Sequence, residues 1–320
     1  MTGHDAPPST YAVADCGGTH TRLEIWRGQD QVAVDKLASA NTASTSPDEA
    51  KAVYGDVVAR VAAHGVAETY VATAAFDDSN AAELEAVFGE LVREHGYPGR
   101  IHLFNDVAPL LFTGERGTET VASIIGTGSA FWARDHEDRL ARIGGVEWLG
   151  SDEGAAADLG KRALVAMVRA ADGRAGATTI TARAGYDDAG ALTLARELGE
   201  TAHPKRGLAT LAKAVTAAWV EDGDETAAAI VTAAVADVEA ALTTAARHLA
   251  TPAAATWVFC GGLISGSLDY QRLILGAVAR ASGGASDVRV VENALESLRS
   301  FAAHGWADRL TERYRRTVSA

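Results

Sequence analysis

The sequence contains very little cysteine. Its two cysteines, Cys16 and Cys260, lie far apart, and neither belongs to a Cys-x-x-Cys pair. Zinc ribbons and disulfide frameworks both need several closely spaced cysteines, so these classes are excluded. We expect Cys16 to be a small residue in a tight loop and Cys260 to lie in the core.

Positive charge is also scarce. The 29 lysines and arginines face 42 aspartates and glutamates, which gives a formal net charge of −13. An acidic surface repels phosphate backbones and anionic lipid, so we expect neither nucleic acid nor a membrane as a partner. A bound nucleotide remains compatible with this charge, because local backbone dipoles decide whether a protein binds a phosphate.

Long uninterrupted apolar runs are absent. The longest candidate, residues 227–250, is interrupted by Asp237, Glu239 and Arg247. A membrane-spanning helix needs about 20 predominantly apolar residues, so we expect none. The first ten residues also lack the basic and then apolar pattern of a secretory signal. These features predict a cytoplasmic protein.

The length of 320 residues and the 48% hydrophobic content suit a globular protein of two domains. Residues 11–37 read as three consecutive strands, followed by alternating helices and strands. Residues 120–143 again read as three strands. The repeated meander predicts an α/β fold with two lobes and a boundary at 114–117. A last helix, predicted over 293–314, would return to the first lobe, so that 10–115 with 293–317 form one lobe and 116–292 the other.

A glycine hairpin follows the first predicted strand. Gly17 and Gly18 allow a phosphate to approach the main chain, whose N–H groups form an anion-binding nest. Thr19 and Thr21 can add hydroxyl donors, and Asp15 can hold Mg²⁺ through water. From these residues alone, a plain hairpin with surface threonines is equally compatible.

Two further glycine turns occur later in the chain. Gly126-Thr127-Gly128-Ser129 stands between two predicted strands, as the first hairpin does, and this recurrence favours phosphate binding. Gly261-Gly262 follows a strand and precedes a helix, where it suits a ribose or adenine or is a routine turn. The competing nucleotide motifs, Gly-x-x-x-x-Gly-Lys-Ser/Thr and Gly-x-Gly-x-x-Gly, are absent.

Two polar segments contain candidate catalytic or substrate-binding residues. Asn105-Asp106 ends a predicted strand, where functional groups of α/β sheets gather. Asp106 is either a general base for a substrate hydroxyl or the N-cap of the helix beginning at Val107. In the loop 144–154, Asp152 either binds sugar hydroxyls or caps the next helix.

Taken in order, these motifs resemble the BadF/BadG/BcrA/BcrD ATPase family, and within it the N-acetylglucosamine kinases. The resemblance extends from about Tyr11 to the C-terminal helix. It implies the two-lobed actin-like (ribonuclease H-like) ATPase fold of the actin/hexokinase/heat-shock-chaperone superfamily, with a nucleotide cleft between the lobes. The first lobe would bind sugar and phosphate, and the second would bind nucleotide. The resemblance also implies a homodimer.

The resemblance further implies ATP and Mg²⁺ as cofactors and a chemical mechanism. Asp15 would order Mg²⁺, and Asp106 would take the proton from a sugar 6-hydroxyl as that oxygen attacks the γ-phosphate. The nucleotide-binding set would comprise Gly17, Gly18, Thr19, Thr21, Gly126, Thr127, Gly128, Ser129, Gly261 and Gly262. The substrate-binding set would comprise Asn41, Asn105, Asp106, Gly145 and Asp152.

Other readings within the superfamily need features that are missing or different. An iron–sulfur ATPase needs cysteines near the second hairpin, and the zinc-bearing sugar kinases need Cys-x-Cys-Gly. A sugar-sensing repressor needs a DNA-binding head. Phe76 stands where relatives have a glycine-rich turn around the acyl group, so the sugar itself stays open, with glucosamine and glucose as alternatives. A pantothenate kinase and a noncatalytic ligand-binding relative also remain possible.

Overall fold

The computed structural model describes residues 10–41, 45–113, 117–285 and 287–320. The chain divides into two compact units, one formed by Met1–Glu115 with Asn293–Ala320 and the other by Arg116–Glu292. Most of the predicted boundary at 114–117 lies outside the described residues. Each unit contains one sheet that includes a three-strand meander, so the predicted α/β class is confirmed.

The first unit is built on a sheet of six strands with three helices along the chain and a fourth from the C-terminal segment. The strands are β1 (Tyr11–Cys16), β2 (Thr21–Arg27), β3 (Asp30–Leu37), β4 (Glu68–Thr73), β5 (Arg100–Phe104) and β11 (Arg315–Ser319), in the order β11-β5-β4-β1-β2-β3. The helices are α1 (Pro47–Ala63), α2 (Ala81–Glu94), α3 (Ala108–Leu111) and α12 (Ala294–Ala303). Strands β1, β4 and β5 run parallel.

Local sequence explains where these elements begin. Helix α1 starts at a capping box in which Ser46 and Glu49 satisfy each other's backbone N–H groups, and Pro47 opens the first turn. Strand β1 is almost entirely buried because it lies inside the sheet, with both faces covered. Helix α12 belongs to this unit, since the ring of Phe301 packs 5.0 Å from Phe104 and 5.6 Å from Phe112.

The predicted C-terminal helix over 293–314 is too long. Helix α12 ends at Ala303, a 3₁₀ turn covers Trp306–Arg309, and the chain then forms β11, antiparallel to β5. Gly305 follows the helix with a φ of 62°, a left-handed conformation that terminates helices and suits glycine. Strand β11 contains the β-branched residues Thr317 and Val318, and Val318 is buried in the core of the unit. The apolar spacing of 295–310 therefore mimicked one continuous helix.

The second unit has a sheet of five strands in the order β10-β9-β6-β7-β8. They are β6 (Thr120–Ile125), β7 (Ser129–Arg134), β8 (Leu140–Ile143), β9 (Thr256–Cys260) and β10 (Asp287–Val291). In the part of this unit that the structure describes, eight helices accompany them: α4 (Ala156–Ala171), α5 (Ile180–Arg183), α6 (Asp188–Glu200), α7 (Pro204–Thr210), α8 (Ala212–Glu221), α9 (Glu225–Ala246), α10 (Gly262–Gly266) and α11 (Leu268–Ser282). The alanine-rich middle of the chain is helical, as predicted.

Helix α9 is long and apolar enough, by length and composition alone, to cross a membrane, which the sequence did not lead us to expect. Its apolar face nevertheless lies in the core of the second unit, where Val231, Val238 and Leu242 are buried. Its charged residues pair with neighbouring helices: Asp237 lies 2.6 Å from Arg162, and Glu239 lies 2.7 Å from Arg280. These contacts are those of a core helix.

Candidate functional site

In the first unit, the carboxyl ends of β1, β4 and β5 meet at one edge of the sheet. Cys16 is the register partner of Thr73, and Ala72 is the register partner of Phe104. Asp15, the penultimate residue of β1, therefore lies at the same edge from which Asn105 and Asp106 leave β5. Polar groups at this edge are where ligands bind in open α/β sheets.

The electrostatics of Cys16 confirm this proximity. Burial above all, and then the negative charges of Asp15 and Asp106, raise the pKa of the Cys16 thiol. Both carboxylates thus lie close enough to act on one sulfur atom. Cys16 is fully buried and is the last residue of β1, so it lies in the sheet and not in the tight loop that the sequence predicted.

Asp15 has an unusual environment for a carboxylate. Burial raises its pKa to about 6, although the positive charge of Arg22, its register partner on β2, acts in the opposite direction. A cation that approaches such a poorly hydrated carboxylate stabilises its ionised form. Among the described residues, no group of three or more His, Cys, Asp or Glu side chains could hold a metal. A single carboxylate fits Mg²⁺, which keeps most of its water ligands.

The first hairpin presents backbone N–H groups that bond to no other described residue, which are called unbonded below. Gly17 N donates to His20 O at 3.3 Å, whereas the N–H groups of Gly18, Thr19 and His20 make no hydrogen bond to another described residue. Three consecutive donors of this kind are what the predicted anion nest requires. Thr19 is exposed, but Thr21 is fully buried at the start of β2 and its hydroxyl lies beside the Cys16 thiol. Thr21 therefore supports the hairpin from inside and does not present its hydroxyl to solvent, in contrast to the prediction.

Hydrogen bonds hold the loop after β3 beside this hairpin. The Ser39 hydroxyl donates to Gly17 O at 3.1 Å and accepts from Asn41 N at 3.2 Å. The Tyr54 hydroxyl donates to Ala40 O at 3.0 Å. Asn41, a predicted substrate residue, is thereby fixed next to the glycines. Sequence reasoning missed the two residues that fix it, because a serine and a helical tyrosine carry no distinctive spacing.

Asn105 rather than Asp106 organises the turn after β5. The Asn105 side chain accepts from Val107 N at 3.1 Å and donates to Phe76 O at 2.9 Å, and the residue is 6% exposed. Helix α3 begins at Ala108, one residue later than expected. Val107 rather than Asp106 therefore occupies the N-cap position, and Asp106 is partly exposed at the sheet edge.

Phe76 lies in the hydrophobic core of the first unit and is 2% exposed. The sequence suggested that this side chain alters an acyl-binding pocket. Only the backbone of the turn is engaged at the edge, where its carbonyl accepts from Asn105. Phe76 therefore acts through the position of the turn.

The second hairpin is attached to helix α4. The carbonyls of Gly126 and Thr127 accept from the first two N–H groups of that helix, at 2.9 and 3.1 Å. Ser129 N donates to Asp152 Oδ1 at 3.0 Å, and the Ser129 hydroxyl donates to Glu153 O at 2.9 Å. The N–H groups of Thr127 and Gly128 bond to no other described residue. The helix thus fixes the hairpin through its carbonyl groups, and two adjacent N–H groups are left that an anion could engage.

The third glycine turn packs directly against the second. Gly261 has a φ of 124°, and a Cβ atom there would lie 2.5 Å from Ile125 O. A Cβ atom on Gly126 would lie 3.4 Å from Gly262 N. Any side chain at 261 would separate the two turns. The structure thus brings together the second and third glycine motifs, which are more than 130 residues apart in the sequence.

The loop between β8 and α4 contains the predicted residues Gly145 and Asp152. Gly145 N donates to the Ser151 hydroxyl at 2.8 Å. Asp152 is 4% exposed and adopts a left-handed φ of 67°. Its second carboxylate oxygen lies 2.7 Å from Lys205 Nζ. The predicted sugar-binding carboxylate is therefore already paired within the protein, with a lysine that sequence reasoning missed.

Comparison with known proteins agrees with this geometry. The model of the BadF/BadG/BcrA/BcrD ATPase family matches residues 14–267, from the first hairpin to beyond the third glycine turn. A curated relative, the N-acetylmuramic acid/N-acetylglucosamine kinase of Clostridium acetobutylicum, is 28% identical over 167 residues, which cover 50% of this chain and 54% of the relative. The chain thus matches about half the length of that relative.

Solved structures show the same fold. A protein assigned as an N-acetylglucosamine kinase from Porphyromonas gingivalis matches with a TM-score of 0.69 and 17% identity, covering 92% of this chain and 99% of that one. One from Chromobacterium violaceum, with the same assignment, has a TM-score of 0.61 and 21% identity, covering 85% and 99%. The ROK family glucokinase of Streptomyces griseus has a TM-score of 0.58 and 15% identity, covering 94% and 100%.

The family match extends over most of the chain and includes all three glycine turns, Asp15 and Asp106. The chain belongs to the BadF/BadG/BcrA/BcrD ATPase family.

Proposed function

We propose that this protein is an ATP-dependent carbohydrate kinase that phosphorylates the 6-hydroxyl of an amino sugar, converting N-acetylglucosamine to N-acetylglucosamine 6-phosphate. The observation that carries the proposal is the joint position of Asp15 and Asp106 at one sheet edge beside a hairpin with unbonded N–H groups. The name of the Clostridium acetobutylicum relative supports an amino sugar as the acceptor.

Asp106 acts as the general base in this proposal. Its carboxylate accepts the proton of the sugar hydroxyl while that oxygen forms a bond to the γ-phosphorus and the bond to ADP breaks. The Asn105 side chain holds the turn through Val107 and Phe76, so it orients Asp106 and does not itself need to touch the sugar. Asn41 and Gly145 contribute substrate contacts.

The glycine turns bind the nucleotide. The unbonded N–H groups of the first and second hairpins donate to phosphate oxygens, and Gly261 and Gly262 lie against the ribose or adenine. Asp15 would hold Mg²⁺ through water, and the metal would neutralise phosphate charge when bound. The first unit thus provides sugar and phosphate contacts, and the second provides nucleotide contacts.

We also propose that the protein works in the cytoplasm, where ATP and small sugars are available, and that it does so as a homodimer. Neither nucleic acid nor a membrane is required as a partner.

The test is ADP release from the full chain with ATP, Mg²⁺ and a panel of acceptors. The panel contains N-acetylglucosamine, N-acetylmuramic acid, glucosamine, glucose and pantothenate. We expect N-acetylglucosamine to give the highest kcat/KM and its 6-phosphate as product. Highest turnover with pantothenate would replace the sugar assignment. ATP binding without turnover on any acceptor would favour a noncatalytic ligand-binding relative.

A further inference from the structure

The second hairpin depends on an ion pair between two buried residues distant in the sequence. Asp152 and Lys205 have side chains that are 5% and 8% exposed, and their charged atoms lie 2.7 Å apart. We propose that Lys205 is a positioning residue that holds the Asp152 carboxylate against the second hairpin and thereby sets the affinity of the protein for ATP. The inference rests on the proposed use of this hairpin for phosphate.

The fold holds Lys205 firmly in place. Lys205 follows Pro204, which opens helix α7, so its position on the first turn is fixed. Helix α7 packs on α4 so closely that a Cβ atom on Gly160 would lie 1.8 Å from Leu208 O. Helix α4 is in turn bonded to the hairpin through its first N–H groups. One rigid assembly therefore connects the lysine with the glycine turn.

Asp152 transmits this position to the hairpin. One carboxylate oxygen accepts from Ser129 N at 3.0 Å, and the carboxylate packs against Gly128, where a Cβ atom would lie 2.8 Å from Oδ2. The same carboxylate receives the ammonium group of Lys205. Moving Asp152 would consequently move Ser129 and Gly128, and with them the unbonded N–H group of Gly128.

Charge gives a second reason for the lysine. Asp152 is a buried carboxylate directly beside a hairpin proposed to bind phosphate, and an uncompensated negative charge there would repel the nucleotide. The other carboxylate near Lys205 belongs to Glu147, at 3.8 Å, and its side chain is 59% exposed. Solvent screens Glu147, so the lysine chiefly neutralises Asp152. Lys205 thus makes an acidic residue compatible with an anion site.

The experiment compares Lys205→Met, Asp152→Asn and the double variant with the wild type. Calorimetry measures the Kd for ATP, and kinetics measure the KM for N-acetylglucosamine. We expect Lys205→Met to weaken ATP binding by about 10- to 100-fold, in analogy to the loss of an outer partner that orients a metal ligand. The KM for the sugar should change by less than about threefold. The double variant, which has no buried charge left unpaired, should bind ATP more tightly than Lys205→Met alone.

Three results would overturn the inference: an unchanged Kd for ATP in Lys205→Met, a change confined to the sugar KM, or equal effects of Lys205→Met in the wild-type and Asp152→Asn backgrounds. The double variant keeps the test open if Lys205→Met does not fold. Wild-type protein that binds ATP without phosphorylating any sugar would contradict the proposed function and leave the ATP-binding comparison intact.

Discussion

Asp15 and Asp106 are both carboxylates at the same sheet edge, but their surroundings differ. Both residues are partly exposed, but burial of the Asp15 carboxylate raises its pKa to about 6. A bound cation stabilises the ionised form of such a carboxylate, and proton transfer with a substrate needs the access that Asp106 has at the sheet edge. The sequence predicted both residues from their place at strand ends. It could not separate a base from a helix cap at Asp106, because that depends on the residue at which α3 begins.

We expect Asp15→Asn to stabilise the unliganded protein at pH 7 and to abolish tight MgATP binding. The folded-state pKa of Asp15 is about 6 against an ordinary value of 3.8, so the folded protein binds this proton more readily. The ionised residue therefore costs stability that appears as the pH rises from 3.8 to 6. Melting temperatures at several pH values check this. The gain should vanish below pH 3.8, and a lower melting temperature in the variant at pH 7 would contradict the account.

Gly17→Val tests the first hairpin. A Cβ atom at this position would meet only His20 O, at 3.6 Å, so the variant should fold. The side chain would obstruct a phosphate beside the unbonded N–H groups, and we expect MgATP binding to weaken by at least about tenfold. The matched control is Gly176→Val, at a second-unit loop position with no atom within 4 Å. Calorimetry that shows equal affinities in both variants would remove the hairpin from the phosphate site.

At the level of secondary structure, what could be predicted depended on the range of the contacts. The meander β1–β3, the glycine turns and the helical middle follow from neighbouring residues and were predicted correctly. Strand β11 was missed because it exists only through pairing with β5, about 200 residues earlier. The Asp152–Lys205 pair was missed for the same reason, since nothing near either residue indicates its partner.

A pH-dependent contact lies where β11 pairs with β5. His102 on β5 is the register partner of Thr317, stacks on Tyr70 and lies 2.8 Å from Glu68. Burial lowers the pKa of His102 below 6.5, although Glu68 and Asp308 act against this shift and Arg315 acts with it. The unfolded chain therefore binds this proton more readily than the folded chain does. As the pH falls below 6.5, protonation of His102 lowers the free energy of unfolding.

We expect His102→Gln, which keeps a hydrogen-bonding side chain toward Glu68, to lose less stability than the wild type between pH 7.5 and 5. Denaturant unfolding at both pH values measures the difference. A matched control is His64→Gln, at an exposed histidine after helix α1. If His102→Gln and the wild type show the same pH dependence, the buried histidine does not titrate on unfolding as described.

At the scale of the whole molecule, the order of motifs along the chain was more informative than any single motif. Each glycine turn alone is compatible with a routine turn, but three turns and two carboxylates in a fixed order led to the family that the comparison confirms. The first unit needs both ends of the chain, because α12 and β11 complete it. The activity should therefore be measured on the full chain.

The most direct test of the central claim is the turnover of Asp106→Asn with N-acetylglucosamine and MgATP. Asparagine keeps the size of the side chain but cannot accept the proton, so kcat should fall by about 10²–10⁴. Ligand affinities and the melting temperature should barely change, since asparagine has nearly the same size and caps a helix about as well as aspartate. Asp187→Asn, at an N-cap that accepts from Gly190 N, is the control and should keep full turnover. Near wild-type turnover in Asp106→Asn would contradict the proposed mechanism.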